Sequence, residues 1–252
     1  MAVEIKPVAN QRGPLRVWEW PKPGNKYVIG IDTAEGVEGG DYSVGFVIEG
    51  RTKIHVATYH CSLDPVQFAP RCAALGYLYN RAHLAVERVN HGDAVLRELI
   101  HHLKYPEIYR AERAMTSERH ATAAVRDFGI DPRAKKAIVV DDLRDAVSRL
   151  ATIRDHLFYA EGLTWILDEK GRPETAEGAH DDVLMAAGCA FHAAKELYGG
   201  FPEVVAPAHT DDDRRELARV RTKRWWRSAL RQYDEICNPP AREPSEAEDA
   251  LL

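Results

Sequence analysis

Apolar and polar positions change period several times along this chain, and the changes outline an α/β domain. Residues 27–32 (Tyr27-Val28-Ile29-Gly30-Ile31-Asp32) form a short, β-branched apolar run, closed by a turn that carries Gly36, Gly39 and Gly40. That is the pattern of a buried central strand. Two more strands are predicted over residues 42–49 and 53–59, with Gly50-Arg51 as the hairpin between them. The period then lengthens. Asp64 and Pro65 suit the N-cap and first position of a helix whose apolar face is Phe68, Cys72, Leu75 and Tyr79. Residues 83–87 predict a fourth strand, 92–102 a helix and 107–110 a fifth strand. Two further helices follow. One covers 142–155, with Leu143, Val147, Leu150 and Ile153 on one face, and one covers 183–197, lined by Ala186, Ala187, Ala190 and Ala194. The order predicts an α/β domain with a central mixed sheet, three antiparallel strands followed by parallel ones, flanked by helices.

Composition divides the chain into three parts. Residues 1–26 are broken by Pro14, Pro21, Pro23 and Gly24 and are expected to be an irregular lead-in, packed on the domain through Trp18 and Trp20. The domain itself is expected over 27–199. Residues 200–252 form a proline-punctuated tail with a basic, tryptophan-bearing helix at about 211–236, suited to DNA or to docking on a partner, and a Pro- and Glu-rich end. At 252 residues, 45% hydrophobic and 29% charged, the chain can bury a core without staples. Its four cysteines form no C-x-x-C pair, which argues against a structural zinc site or a disulfide framework and for a reducing compartment. No apolar run approaches a membrane span, and the N-terminus lacks a signal-peptide core, so no membrane partner is expected. The formal net charge of −5 does not suggest a nucleic-acid binder by itself.

The candidate chemistry is acidic. Asp32 closes the first strand, Glu87 closes the fourth, Asp181-Asp182 opens the last helix, and Asp41 follows the glycine-bearing turn. A carboxylate at the end of a buried strand is costly unless it is paired or metal-bound. Several such groups at one sheet edge cannot all stay ionised without a cation. Hard divalent ions with oxygen ligands resolve the conflict, and two of them about 4 Å apart can clamp the attacking and leaving oxygens of a phosphodiester. Singly, each acid has an ordinary reading: Asp32 a turn residue, Asp181 and Asp182 a helix cap. The four positions in this element order carry the signal.

On these residues the chain resembles the nuclease domain of phage large terminase subunits. Val28-Ile29-Gly30-Ile31-Asp32-Thr33-Ala34-Glu35-Gly36, continued by Gly40-Asp41-Tyr42-Ser43, is similar to that family's first motif. Val86-Glu87-Arg88-Val89-Asn90 is similar to the second, and Gly178-Ala179-His180-Asp181-Asp182-Val183-Leu184-Met185-Ala186 to the third. The resemblance spans about residues 15–197. It implies an RNase H-like, RuvC-like fold and an endonuclease that cuts concatemeric double-stranded DNA during viral genome packaging, in the host cell cytoplasm, with two Mg2+ or Mn2+ ions. It also implies partners: an ATPase domain, a small terminase subunit and the capsid portal. No G-x-x-x-x-G-K-[ST] phosphate loop is present, so the chain is expected to be a nuclease domain without the ATPase.

The same resemblance assigns the metal ligands to Asp32, Glu87, Asp181 and Asp182, with Asp32 expected to bridge both ions and Asp41 an auxiliary ligand. Neighbouring helix positions point about 100° apart, so Asp181 and Asp182 cannot aim alike. Asp182 is favoured as the direct ligand, leaving Asp181 as a second ligand or the helix cap. His180 is placed to touch a phosphate, to orient Asp181 or to make a structural hydrogen bond. Asn90 and His91 are placed to touch DNA, or, for Asn90, to cap a helix. The implied reaction is in-line attack of water on a phosphodiester, leaving 3′-hydroxyl and 5′-phosphate ends. A RuvC-like junction resolvase and a non-cleaving DNA- or portal-binding packaging module share these features. Sugar kinases and actin-like ATPases share only the opening strand and turn, and they need a second domain copy.

Overall fold

Five strands form the central sheet of the computed structural model, which describes residues 13–37, 40–88, 91–113, 125–149, 151–167, 173–176 and 178–200. They are β1 (Leu15–Val17), β2 (Tyr27–Asp32), β3 (Ser43–Glu49), β4 (His55–Cys61) and β5 (His83–Val86), ordered β1-β4-β3-β2-β5 across the sheet. All neighbours are antiparallel except β2 and β5, which are parallel. Between β4 and β5 the chain crosses over through α1 (Pro65–Leu78), as a parallel neighbour requires. Asp64 caps α1 as its sequence predicts, accepting the N–H groups of Val66 at 2.9 Å and Gln67 at 3.1 Å. The sheet is thus mixed, as expected, with helices on both faces.

The departures from the sequence reading have local causes. The lead-in is not wholly irregular, because β1 pairs with β4 and adds an edge to the sheet. Trp18 packs against His55 with ring centroids 4.7 Å apart, whereas Trp20 is half exposed. The third predicted strand starts at His55, not at residue 53. The Glu49 carboxylate accepts the N–H groups of Arg51 and Thr52 and the Thr52 hydroxyl, and Lys53 turns through a left-handed φ of 61°. The fifth predicted strand shrinks to a single parallel bridge between Leu84 and Ile108. From there the chain leaves the sheet as a ribbon of β6 (Arg110–Arg113) and β7 (Val125–Phe128), then returns so that Ile130 donates its N–H to Val86 O at 2.8 Å.

Helix α2 (Gly92–Arg97) continues in π-helical turns to His102. The predicted helix over 142–155 is helical only as far as Ser148, and residues 151–155 run on without helix. Helix α3 (Pro132–Ser148) begins ahead of it, at an Asp131-Pro132 pair of the same kind that opens α1, and α4 (His156–Thr164) begins after Asp155. Asp155 is fully buried. It caps α4 through Leu157 N–H at 3.0 Å and pairs with Arg16 of the lead-in at 2.7 Å. After α4 come a short hairpin, β8 (Trp165–Leu167) with β9 (Pro173–Thr175), and then α5 (Asp182–Tyr198). No helix among the described residues is long and apolar enough to cross a membrane. The tail from residue 201, with its predicted basic helix, lies outside the described residues.

Strand parity separates two cores. On β2, Tyr27, Ile29 and Ile31 join Phe68, Cys72, Leu84, Val86 and Leu96 on the face covered by α1 and α2. Val28 points the other way, into a core with Phe46, Ala85, Leu143 and α5. Gly30 has the same parity as Val28. A Cβ there would lie 1.9 Å from Ala186 O and 2.5 Å from Ala190 N, so α5 rests directly on the β2 backbone. The small side chains of Ala186, Ala187, Ala190 and Ala194 permit that approach, and every residue of α5 from Asp182 to Ala194 is buried. At the far end of α5, His192 Nδ1 meets Asp142 Oδ2 of α3 at 2.7 Å. Lys195 donates to the same carboxylate, and Tyr109 donates to Glu196. Burial pushes the Asp142 carboxyl up, but these bonds hold it below the usual range.

Candidate metal centre

The parity that points Val28 and Gly30 toward α5 also points Asp32 there. In the parallel ladder Gly30 pairs with Ala85 and Ile31 with Val86, so the next step along both strands sets Asp32 beside Glu87. The ladder closes with Glu87 N–H donating to Ile31 O at 2.9 Å. The Glu87 side chain raises the proton affinity of the Asp32 carboxyl, whose Oδ1 accepts the Thr33 N–H at 2.8 Å. Behind Glu87, α2 begins so close that a Cβ on Gly92 would fall 1.7 Å from Glu87 O. Only glycine lets that helix start there, and its start fixes the turn that presents Glu87.

Helix α5 arrives at the same sheet edge with its N-terminus. Asp182 is its first residue and is buried, and its Oδ2 accepts the Tyr42 N–H at 3.0 Å. His180 Nδ1 lies 3.1 Å from Asp41 Oδ1 and 3.7 Å from Asp182 Oδ2. Asp41, His180 and Asp182 each place one ligand atom within 4.8 Å of the others. The acids therefore run in a row: Glu87, Asp32, Asp182, and then Asp41 with His180.

The remaining predicted residues divide. Asp181 occupies the N-cap position of α5 without a side-chain cap bond, and it lies outside the Asp41–His180–Asp182 group. Its charge still reaches Asp182 and Glu161. His91 pairs with Glu35, its Nε2 3.2 Å from Glu35 Oε1. Asn90 lies outside the described residues.

Glu161 of α4 is a site residue that sequence reasoning missed. Its Oε2 accepts the N–H groups of Val183 at 2.9 Å and Leu184 at 3.0 Å, capping α5 from another helix. The signal is long-range, because nothing within α4 marks that carboxylate as the cap of a helix about twenty residues on. Glu161→Ala leaves two buried donors unpaired next to Asp182. It is expected to lower stability by about 1–3 kcal/mol in urea unfolding, and Glu161→Gln, which keeps an acceptor oxygen, by less.

Crowding shows in the proton affinities. Burial pushes the Asp32 carboxyl well above the usual carboxylate range, and the Glu87 and Asp182 charges push it further. Burial raises Asp182 to about 6, against the lowering effect of the Tyr42 N–H. Burial raises Glu161 to about 8, against the pull of the Leu184 and Val183 N–H groups. Enclosed carboxyl oxygens that repel one another, joined by an imidazole nitrogen, are a donor set that a divalent cation satisfies. The residues present fit such ions.

A mixed sheet of antiparallel strands with one parallel neighbour, flanked by helices, and acids gathered at the end of β2, define an α/β domain of RNase H-like fold. The sequence matches no protein-family model and no curated protein. The structure is similar to that of the large terminase nuclease from thermophilic phage G20c. With bound magnesium, that nuclease aligns at a TM-score of 0.55 and 18% identity, over 73% of this chain and 89% of that chain. With bound cobalt the values are 0.54 and 19%, over 73% and 89%. With bound zinc they are 0.51 and 19%, over 75% and 91%. The chain therefore has the fold of the nuclease domains of phage large terminases.

Proposed function

We propose that this chain is a divalent-metal-dependent endonuclease acting on double-stranded DNA in viral genome packaging. The observation that carries the reading is the row of acids at the end of β2, held by a parallel register, a glycine contact and a helix N-terminus. The terminase nuclease with this fold has been crystallised with magnesium, cobalt and zinc, which supports a divalent cofactor here. Glu87 and Asp32 would hold one ion, and Asp182 with Asp41 the other, with Mg2+ or Mn2+ the expected occupants. The inner members, Asp32 and Asp182, would serve both. Asp181 is left as a contributor of charge. When bound, the ions supply Lewis acidity, making water a nucleophile at neutral pH and stabilising charge on the phosphodiester.

The chain's own residues do the rest by position. The Tyr42 N–H fixes the Asp182 carboxylate, Glu161 fixes the first turn of α5, and the parallel register of β2 and β5 holds Asp32 beside Glu87. No side chain has to form a covalent intermediate. In the full packaging system an ATPase domain, a small terminase subunit and the portal would be the partners. The test is incubation of the purified chain with supercoiled plasmid and Mn2+ or Mg2+. Conversion to open-circular and linear forms with metal, and none with EDTA, is the expected result; plasmid left intact under every divalent metal would overturn the reading.

A further inference from the structure

We propose that the lead-in strand β1 is a positioning element of the metal centre, acting through α4 from the far edge of the sheet. Arg16 is the near end of the connection and Glu161 the far end. Neither is a ligand; both set where the Asp182 end of α5 stands. The inference rests on the two-ion reading and deepens it, since it names what tunes metal affinity at that centre.

Each link is a polar contact. In β1, Arg16 pairs across the ladder with Thr58 of β4, and its Nη2 donates to Asp155 Oδ2 at 2.7 Å. Asp155 is fully buried at the N-cap of α4, so its place fixes where that helix starts. The residues just ahead of Asp155 are tied to the same edge of the sheet. His55 donates its N–H to Thr152 O at 2.9 Å, Arg154 donates its N–H to His55 Nδ1 at 3.2 Å, and the Arg154 guanidinium donates to Glu19 Oε1 at 2.6 Å. Further along the same helix, Glu161 accepts the Val183 and Leu184 N–H groups beside Asp182.

The two ends of α4 do different work. A buried carboxylate is tolerated where a cation meets it, so Asp155 keeps its place only with Arg16 beside it. Val183 and Leu184 carry N–H groups of the first turn of α5, which have no carbonyl within the helix to accept them. Glu161 accepts both, and Asp182, immediately before them, moves with that turn. A shift at Asp155 therefore reaches Asp182 through Glu161. The middle of α4 is held separately. The Phe158 ring lies 6.2 Å from that of Phe46, and the Tyr159 hydroxyl donates to Ile153 O at 2.8 Å, so the helix persists when the tie to β1 is cut.

A double-mutant cycle in the full chain, without DNA, provides the test. Calorimetric Mn2+ affinity is expected to fall about tenfold in Arg16→Met and about tenfold in Glu161→Ala, the scale of losing an outer partner of a metal ligand. The double variant should also lose about tenfold, not about a hundredfold, because the connection is already cut; distant residues that act independently add. In the metal-free chain the Val183 and Leu184 amides should exchange with solvent about tenfold faster in either variant, under conditions where both stay folded. Val17→Ala, a core change in the same strand, should lower the melting temperature and leave Mn2+ affinity within about twofold of wild type. Glu19→Gln, which loosens Arg154 without stranding a buried charge, replaces Arg16→Met should that variant not fold, with the same non-additivity expected. Additive losses, or Mn2+ affinity unchanged in the lead-in variant while Asp32→Asn abolishes binding, would overturn the coupling and leave the two-ion centre standing. Mn2+ binding unaffected by Asp32→Asn would overturn both.

Discussion

Asp32→Asn should lower the rate of metal-dependent DNA cleavage by about 10²–10³-fold and at the same time raise the melting temperature of the metal-free chain by several degrees. The two effects share a cause. Asp32 is enclosed, and its neighbours in the row are acids, so its ionised form is unfavourable until a cation arrives. Asparagine keeps the shape and can still meet Glu87, but it brings no charge to repel and none to bind metal. The pH dependence follows in sign. Asp182 moves from the ordinary 3.8 to about 6, and Glu161 from 4.5 to about 8, so both bind protons more tightly folded than unfolded. Their contribution is fully present below the unfolded values and is lost as pH rises through the folded ones. Thermal melts in EDTA should therefore show stability falling between about pH 4 and pH 8, less steeply in Asp32→Asn. Saturating Mg2+ should flatten the slope, because bound cation stabilises the ionised carboxylates in the folded chain only. A variant that cuts DNA like wild type, or that melts lower than wild type in EDTA at pH 8, would show that Asp32 does not sit in a crowded acidic centre.

Gly30→Ala should be the most damaging single-methyl change in the sheet. Its Cβ would lie 1.9 Å from one backbone atom of α5 and 2.5 Å from another, and neither can rotate away as a side chain would. The helix must lift off β2, opening the core around Val28, Ala85 and Phe46 and withdrawing Asp182 from Asp32. Overpacking costs about 1–3 kcal/mol where side chains can adjust, so a loss beyond about 3 kcal/mol is expected here, read by urea unfolding. Gly45 is the control. It pairs with Ile31 on the adjacent strand, but a Cβ there would meet only side-chain atoms, at 3.5 Å or more. Gly45→Ala should be neutral or slightly stabilising. Equal tolerance of both changes would mean that α5 does not rest on the β2 backbone.

The same contact explains what could be read in advance. The strand over 27–32 and the alanine-lined helix near the C-terminal end of the domain are both plain in the sequence, and a lone glycine in a buried strand signals close approach of another backbone. Asp32, Glu87 and Asp182 were legible because local rules place them, at the ends of two strands and the start of a helix. Residues placed by contacts distant in sequence were not. Glu161 caps α5 from a separate helix, and Tyr42 serves Asp182 through its backbone N–H, a donor that every non-proline residue carries. The 107–110 segment failed differently. Its apolar residues do line β5, but the chain leaves after one bridge to build the β6–β7 ribbon, a choice set by pairing partners further along. At 142–155 the periodicity of α3 runs on into residues that stay buried, Ala151 and Ile153, without staying helical.

The net charge of −5 also takes on a different meaning. Four of the acids stand in one row, and two divalent ions would turn that edge from repelling phosphate to attracting it. Anomalous diffraction from crystals grown with Mn2+ and a short DNA duplex would locate the ions without reference to activity. Two manganese peaks are expected in the row, one against Glu87 and Asp32 and one against Asp182 and Asp41, with a DNA phosphate between them; no manganese at Asp32 and Asp182, or manganese held only by other side chains, would be incompatible with a two-ion nuclease centre at the end of β2.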